Sequence, residues 1–513
     1  MRQFFCVQLK GLLLALAGSL LLTLSFPRYG SGWLAWLALL PLLWIAAAYA
    51  PRPSFKLGWL AGLGQGLGTL YWIVYVVNRY GSLSLPVSIG VCLLLVSYLA
   101  LLPALFTAGL SWLRLRRLPW LLLAAPLWVS LELAKSNLFT GFPWENLGYS
   151  QFAWLPVIQV ADLTGVYGLS FAVVLGNAAL CRLLYPSSRR ETTLSRWGLT
   201  LTVMVVVSSM YFYGTWRLST LAGSSNPSVR VALIQGNIPQ EHKWDPAFQQ
   251  ETLERYFLLS KQIIPQKPDL LVWPETATPF YFRSDRKNSE ILTAMVRQLG
   301  KPLLFGSPAY QYKEKRLQLY NRAYLLNGSG SVLGFYDKIH LVPFGEYVPL
   351  KRLLFFARRL VQAAGDFVSG NHPVVLSLPP ARLGVLICYE AIFPELSRDL
   401  VRKGANILVN ITNDAWFGPS SAPYQHLSMA VLRTVENRVP MVRCANTGIS
   451  AFVDASGRVL EKTALFQEAV LSHTITLGNG NTFYCRWGDW FAFSCLAISA
   501  LALLVSFCRR QRF

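Results

Sequence analysis

Charge is scarce in this chain. Only 14% of its 513 residues are Asp, Glu, Lys or Arg, and 53% are hydrophobic, whereas a soluble globular protein carries roughly a quarter charged residues. The shortfall is local. Long apolar runs fill about the first 215 residues and the last 25, while the stretch 226–484 has an ordinary soluble composition and the length to bury its own core. Acidic residues are the rarer sign, 25 against 47 Lys and Arg, for a net charge of +22. A basic balance often marks a nucleic-acid binder, but its placement argues against a nucleic-acid partner. Residues 226–485 hold 28 basic and 20 acidic side chains, a net of +8, so +14 flanks the hydrophobic segments. That is a membrane-topology pattern. The eight cysteines form no CxxC pair and no Cys/His group at zinc spacing, which removes the common dithiol and zinc motifs. No nucleotide motif, internal repeat or low-complexity tract occurs, so neither metal nor cofactor is expected.

A membrane helix needs about 20 mostly apolar residues. Eight stretches are expected to span: 7–26, 33–49, 57–77, 87–113, 120–134, 166–184, 197–213 and 490–507. Loops on one side carry Arg114, Arg116 and Arg117, then Arg189 and Arg190, then Arg509, Arg510 and Arg512. The alternate short loops hold only Arg28, Arg79 and Lys135. The positive-inside rule then puts both termini in the cytoplasm and the large polar region outside. Expected domains are a seven-helix membrane part over 1–221, an outer domain over 222–484, and a last span with a basic tail over 485–513. Within the outward loop 137–162, Gly141-Phe142-Pro143-Trp144 reads as an interfacial or re-entrant segment. Glu132 and Lys135, near one span's end, are placed to pair.

In the outer region, apolar strands are expected over 229–235, 269–273, 302–306, 382–388 and 407–411. Helices are expected over 248–264, 291–299 and 395–403, and a hairpin around Asn327-Gly328. Strands alternating with helices make an α/β domain with both sheet faces covered. Three side chains stand beside such strands. Glu275 follows Leu270-Leu271-Val272-Trp273-Pro274, Lys338 follows Phe335-Tyr336-Asp337, and Cys388 closes Gly384-Val385-Leu386-Ile387. Strand ends are where α/β folds carry reactive groups. A free thiol titrates at about 8.5 and is little ionised at neutral pH. A carboxylate such as Glu275 can take its proton as attack begins, and Lys338 with a backbone N–H near Cys388 can hold the resulting oxyanion. His426 reads as a structural residue in a loop, Cys444 as a buried thiol, and His340 has no evident role.

The segments Trp273-Pro274-Glu275, Tyr336-Asp337-Lys338-Ile339-His340 and Gly384-Val385-Leu386-Ile387-Cys388-Tyr389-Glu390, in that order, resemble the nitrilase (carbon–nitrogen hydrolase) superfamily. Over about 229–472 this implies an α-β-β-α sandwich with Glu275, Lys338 and Cys388 as catalytic residues. With the membrane part, the whole chain resembles the apolipoprotein N-acyltransferase family. The motifs are Gly141-Phe142-Pro143-Trp144, Phe344-Gly345-Glu346-Tyr347-Val348-Pro349, Asn413-Asp414-Ala415-Trp416-Phe417-Gly418 and Ala445-Asn446-Thr447-Gly448. That resemblance implies a phospholipid acyl donor, typically phosphatidylethanolamine, and diacylglyceryl apolipoproteins as acceptors. It implies a Cys388 thioester in a ping-pong cycle, the last step of bacterial lipoprotein maturation, in the inner membrane of a Gram-negative cell with the catalytic domain periplasmic. It also points to Trp244, Glu346, Tyr389 and Glu390 as supporting residues. An amphipathic helix over 350–367 is expected as a lid on the membrane interface. The competing readings are a membrane-tethered amidase or nitrilase with the same triad, and a transporter with a binding domain.

Overall fold

The computed structural model describes residues 2–184, 193–222, 226–241, 243, 245–313, 316–348 and 366–508. Trp244, and all but the last two residues of the expected lid, lie outside the described residues. The chain divides into two compact units. One comprises Met1–Val74, Leu85–Thr220 and Trp487–Phe513, the other Tyr75–Ser84 and Leu221–Arg486.

The first unit is helical. Among the described residues, five helices are long and apolar enough to cross a bilayer: Gln8–Ser25, Leu85–Leu115, Val166–Leu184, Trp197–Leu221 and Trp490–Cys508. Pro51–Leu70 and Trp72–Arg79, bent by 58° at their junction, make a sixth if taken as one broken span. The eight expected full-length spans therefore become five or six. The expected span 120–134 yields the 14-residue helix Ala124–Asn137, about 21 Å long against a hydrocarbon core of about 30 Å. The expected span 33–49 is interrupted at Leu39, between the helices Ala35–Ala38 and Leu40–Ala48. The interruption is filled from a neighbouring helix. Asn177 Oδ1 accepts the Leu39 N–H at 3.0 Å, and its Nδ2 donates to the carbonyls of Ala35 and Val173, both at 2.9 Å. A broken helix in an apolar surround needs such a partner, because an unmet backbone group there costs several kcal/mol.

The loop after Ala124–Asn137 turns back into this unit, with residues 143–151 buried. Glu132 Oε1 accepts the Leu147 N–H at 2.6 Å and the Trp128 indole at 2.8 Å, and Lys135 Nζ donates to the Trp144 carbonyl at 2.9 Å. The two residues expected to pair with each other thus also hold the Gly141-Phe142-Pro143-Trp144 loop.

The second unit is built on two six-stranded mixed sheets. In chain order the strands are β1 (Ser228–Gln235), β2 (Leu270–Val272), β3 (Leu303–Lys313), β4 (Arg316–Leu326), β5 (Val332–Asp337), β6 (Val375–Leu378), β7 (Ala381–Ile387), β8 (Ile407–Thr412), β9 (Met441–Ala445), β10 (Ala451–Val453), β11 (Val459–Lys462) and β12 (Ala469–Thr476). One sheet runs β12-β1-β2-β3-β4-β5 and the other β11-β10-β9-β8-β7-β6. Side chains alternate along a strand, and both faces are used. Val231 and Leu233 of β1 enter a cluster with Val385, Ile387, Val409 and Val442 of the other sheet. Ala232 and Ile234 instead meet Leu253 and Tyr256 of the helix Gln249–Ile263, and Leu292 and Val296 of Arg286–Leu299. Helices Pro394–Arg402 and Ala422–Asn437 pack together, the former also on β7. The result is a layered α/β sandwich of two sheets with helices outside them. His426 lies in the helix Ala422–Asn437, not in a loop. Every residue of that helix but Tyr424 is buried, so it shows no polar face to mark it.

Replacing Asn177 with Leu should remove three hydrogen bonds and leave the Leu39 N–H only its bond to the Leu37 carbonyl. The expected loss is about 1–3 kcal/mol, read as a lower thermal midpoint of the detergent-solubilised chain. An unchanged midpoint would mean the break is satisfied without Asn177.

Candidate active site

Adjacent strand ends deliver the site. β2 leads through the buried Trp273 to Glu275, β5 runs directly into Lys338, β7 into Cys388, and β8 into Asn413. Glu275, Lys338, Glu346, Cys388 and Tyr389 are all at least nine-tenths buried, and Glu390 is fully so.

The carboxylates and Lys338 form one hydrogen-bonded group. Lys338 Nζ lies 2.9 Å from Glu346 Oε2, 3.0 Å from Glu346 Oε1 and 3.7 Å from Glu275 Oε1. Asn321 Nδ2 donates to Glu275 Oε1 at 2.8 Å and to Glu346 Oε1 at 3.0 Å, bridging the two acids. Glu275 Oε2 accepts the Asn413 N–H at 2.9 Å. Glu346 Oε2 accepts the Val342 N–H at 2.8 Å. Burial works against the charge on Lys338, but Glu346 and Glu275 outweigh it and hold the ammonium well above its ordinary range. It is therefore a fixed cation at any physiological pH.

Cys388 begins the turn after β7 in a left-handed conformation, φ 54°, which costs a non-glycine residue of order 1–3 kcal/mol unless its surroundings hold it. Here the turn's carbonyl is gripped. The Cys388 O atom accepts from His426 Nε2 at 3.1 Å and from Asn410 Nδ2 at 3.4 Å. Burial first, and then the charge of Glu275, pushes the thiol up to about 12, against the pull of Lys338. Cys388 thus rests as a neutral thiol, a form that would need a base beside it to act as a nucleophile.

Glu390 is a clamp. Its Oε1 accepts the Tyr336 hydroxyl at 2.8 Å, the Ile339 N–H at 2.7 Å and the His340 N–H at 3.1 Å, while Oε2 accepts the Ile387 N–H at 2.7 Å. One carboxylate thereby fixes the loop carrying Lys338 against the strand end carrying Cys388. Tyr389 and His340 flank Phe393, the histidine stacked on it at 3.6 Å and Tyr389 edge-on at 5.1 Å.

Several site residues had no sequence signal of their own. Asn321 is a polar residue buried in the middle of β4. Beneath the cysteine turn, His426, Asp414, Arg443 and Asn410 form a wholly buried network. Arg443 Nη2 donates to Asp414 Oδ2 at 2.8 Å and to His426 Nδ1 at 3.0 Å, and Nη1 donates to Asn410 Oδ1. Burial and the neighbouring guanidinium hold His426 below its usual range. It is therefore neutral, with the proton on Nε2, as the bond to the Cys388 carbonyl requires. Burial opposes the charge on Asp414, but the Arg443 guanidinium holds its carboxyl well below the ordinary carboxylate range. Lys243, next to the Trp244 singled out above, is a second buried lysine, and its Nζ donates to the Glu275 carbonyl at 2.9 Å. Cys444, as expected, is buried, with its thiol against the carbonyls of Val272 and Ile234.

Residues 230–482 match the carbon–nitrogen hydrolase family, and residues 18–179 match the apolipoprotein N-acyltransferase N-terminal domain. The apolipoprotein N-acyltransferase of Geobacter metallireducens is 46% identical over 512 residues, covering 100% of this chain and 98% of that protein. The chain belongs to the apolipoprotein N-acyltransferase family. The relative from Methylococcus capsulatus is 35% identical over 518 residues, covering 98% of this chain and 97% of its own length. Among solved structures, the carbon–nitrogen hydrolase from Helicobacter pylori G27 aligns at 17% identity and a TM-score of 0.39, covering 51% of this chain and 94% of that one. The family's reaction class is acyl transfer.

Arg443→Met should strand the buried Asp414 charge at a cost of about 3–5 kcal/mol. Because Asp414 is depressed in the folded chain, its contribution is complete above about pH 4 and fades below it. The gap in thermal midpoint between wild type and variant should therefore be widest near neutrality and narrow as pH falls. A gap independent of pH would show that the charge pair is not its source.

Proposed function

We propose that this chain moves a fatty acyl group from a membrane phospholipid, phosphatidylethanolamine above all, to the α-amine of the diacylglyceryl-cysteine at the start of an apolipoprotein. The observation that carries this reading is the junction, in one family member, of bilayer-length helices with a buried Glu–Lys–Cys constellation. Glu275 accepts the Cys388 proton as sulfur attacks the ester carbonyl. Lys338 and a backbone N–H beside Cys388 receive the oxyanion, a contribution of about 3 kcal/mol per donor. The proton then passes from Glu275 to the departing lysophospholipid oxygen, leaving an S-acyl enzyme. In the second half, the acceptor amine attacks the thioester, Glu275 takes its proton and the thiol is restored. Glu346, Glu390 and Tyr389 position these groups, and Trp244 and a lid over 350–367 belong to the lipid-facing side of the reading.

A membrane location suits both substrates. Drawing an acyl chain into water costs about 0.8 kcal/mol per methylene, so a site tethered at the bilayer removes that barrier. We place both termini in the cytoplasm, with eight crossings in which 33–49 and 120–134 complete the bundle as short or broken segments. The parts are then 1–221, a periplasmic 222–484, and 485–513. Tyr75–Ser84, an outward loop in this topology, belongs to the same compact unit as the catalytic residues. Its Arg79 pairs with Glu241 at 2.6 Å and its Tyr80 hydroxyl donates to the Ala415 carbonyl at 3.2 Å, which supports one side for both.

Intact-mass measurement after incubation with phosphatidylethanolamine alone should find one acyl adduct on the wild type and none on Cys388→Ala. A diacylglyceryl-cysteine peptide with a free amine should discharge it. Glu275→Gln should slow acylation by about 10²–10⁴-fold, and Lys338→Met by at least about 10²-fold. An adduct-free enzyme that hydrolyses small amides would instead make the chain a tethered amidase.

A further inference from the structure

The charges around Glu275 do not balance with the three expected catalytic residues alone. Glu275 and Glu346 are two buried acids joined by the single amide of Asn321. Lys338 sits nearer Glu346, at 2.9 Å, than Glu275, at 3.7 Å. Two like charges sharing one counter-ion repel, and a second buried cation stands beside Glu275. Lys243 is 3% exposed and its Nζ donates to the Glu275 carbonyl at 2.9 Å. Its loop is pinned to the same framework as the base. Asn446 accepts the Ile238 N–H at 2.9 Å and donates to the Ile238 carbonyl at 2.8 Å. Asn413, whose N–H binds Glu275, holds Gln240 Oε1 at 2.7 Å through its side chain.

The geometry points to Lys243 as a positioning residue of the acylation step: its ammonium holds the main-chain carbonyl of Glu275 and places a second buried positive charge beside that residue, whereas Lys338 pairs directly with the Glu346 carboxylate. Lys243 keeps its own protons throughout. The proton that moves leaves the Cys388 thiol for Glu275 and later passes to the leaving oxygen. This inference rests on the acyl-transfer reading above.

The lysine's own titration makes the role measurable. Burial lowers Lys243 to about 8, opposed by the charges of Glu275 and Cys388. The charged and titratable groups that bear on it are therefore Glu275 and Cys388, with Lys338 beside them. As pH rises through that range the cation is lost, whereas an arginine in its place stays protonated.

The experiment is single-turnover acylation of the full-length protein in detergent by phosphatidylethanolamine, followed by intact mass from pH 6.5 to 9.5, with wild type, Lys243→Arg and Lys243→Met, each with its thermal midpoint. Wild type should acylate more slowly above about pH 8. Lys243→Arg should keep its rate to the top of the range, and Lys243→Met should be slower at every pH by on the order of tenfold to a hundredfold, without the fall near 8. A Lys243→Arg profile that still falls as the wild type does, or a Lys243→Met rate equal to wild type, would overturn the role. If Lys243→Met fails to fold, the Lys243→Arg profile decides alone. Failure of the wild type itself to acylate would instead reject the acyl-transfer reading.

Discussion

The carboxylate of Glu390 is the contact on which the reactive geometry depends. It is fully buried and accepts four hydrogen bonds, one from the strand end before Cys388 and three from the segment around Lys338. Those two segments belong to opposite sheets of the sandwich, β7 in one and β5 in the other. Sheet packing brings them within reach of each other only to the precision of side-chain packing. Four bonds to one carboxyl group, which burial pushes up to about 7, narrow that freedom well below what sheet packing alone allows.

Around that clamp the site is a closed set of compensations. Burial keeps the Cys388 thiol protonated. Glu275 beside it is itself a buried acid, tolerated because Asn321, Asn413 and buried lysines surround it. The left-handed turn at Cys388 is in turn held by His426 and Asn410, and those by Arg443 and Asp414. The polar groups beneath the cysteine turn are matched to one another, so removing one member leaves its partner's charge or donor exposed to an apolar interior.

The helical unit solves a related problem with different parts. Its helices break at Leu39 and bend near Tyr71, and the loop after Asn137 turns inward. Free backbone groups in such places must find partners. Asn177 serves the first break, and Glu132 and Lys135 serve the inward loop. Ionisable residues in an apolar bundle thus act as structural ligands for backbone.

Much of this was legible in the order of residues. Hydropathy marked the membrane-length runs, and apolar stretches ending at Glu275, Lys338 and Cys388 marked strand ends, because a buried strand must be apolar and its reactive neighbour stands out against it. Span number was not settled so easily, since hydropathy cannot tell a continuous helix from one broken at Leu39. Nor did any local pattern single out Asn321, Lys243 or Arg443, or show that Asp414, inside a quoted motif, belongs to a network with His426 and Arg443. Their partners in the site lie from about a dozen to nearly fifty residues away in the chain, and the helix carrying His426 is buried on nearly all sides, so no periodicity revealed it. The sequence by itself determined which side chains can do the chemistry and which segments avoid water, because both are properties of residues and their neighbours in the chain. Which carboxylate pairs with which lysine, and what keeps the thiol protonated until it is needed, was decided only by the tertiary structure, because burial and Coulomb interaction depend on distances through space.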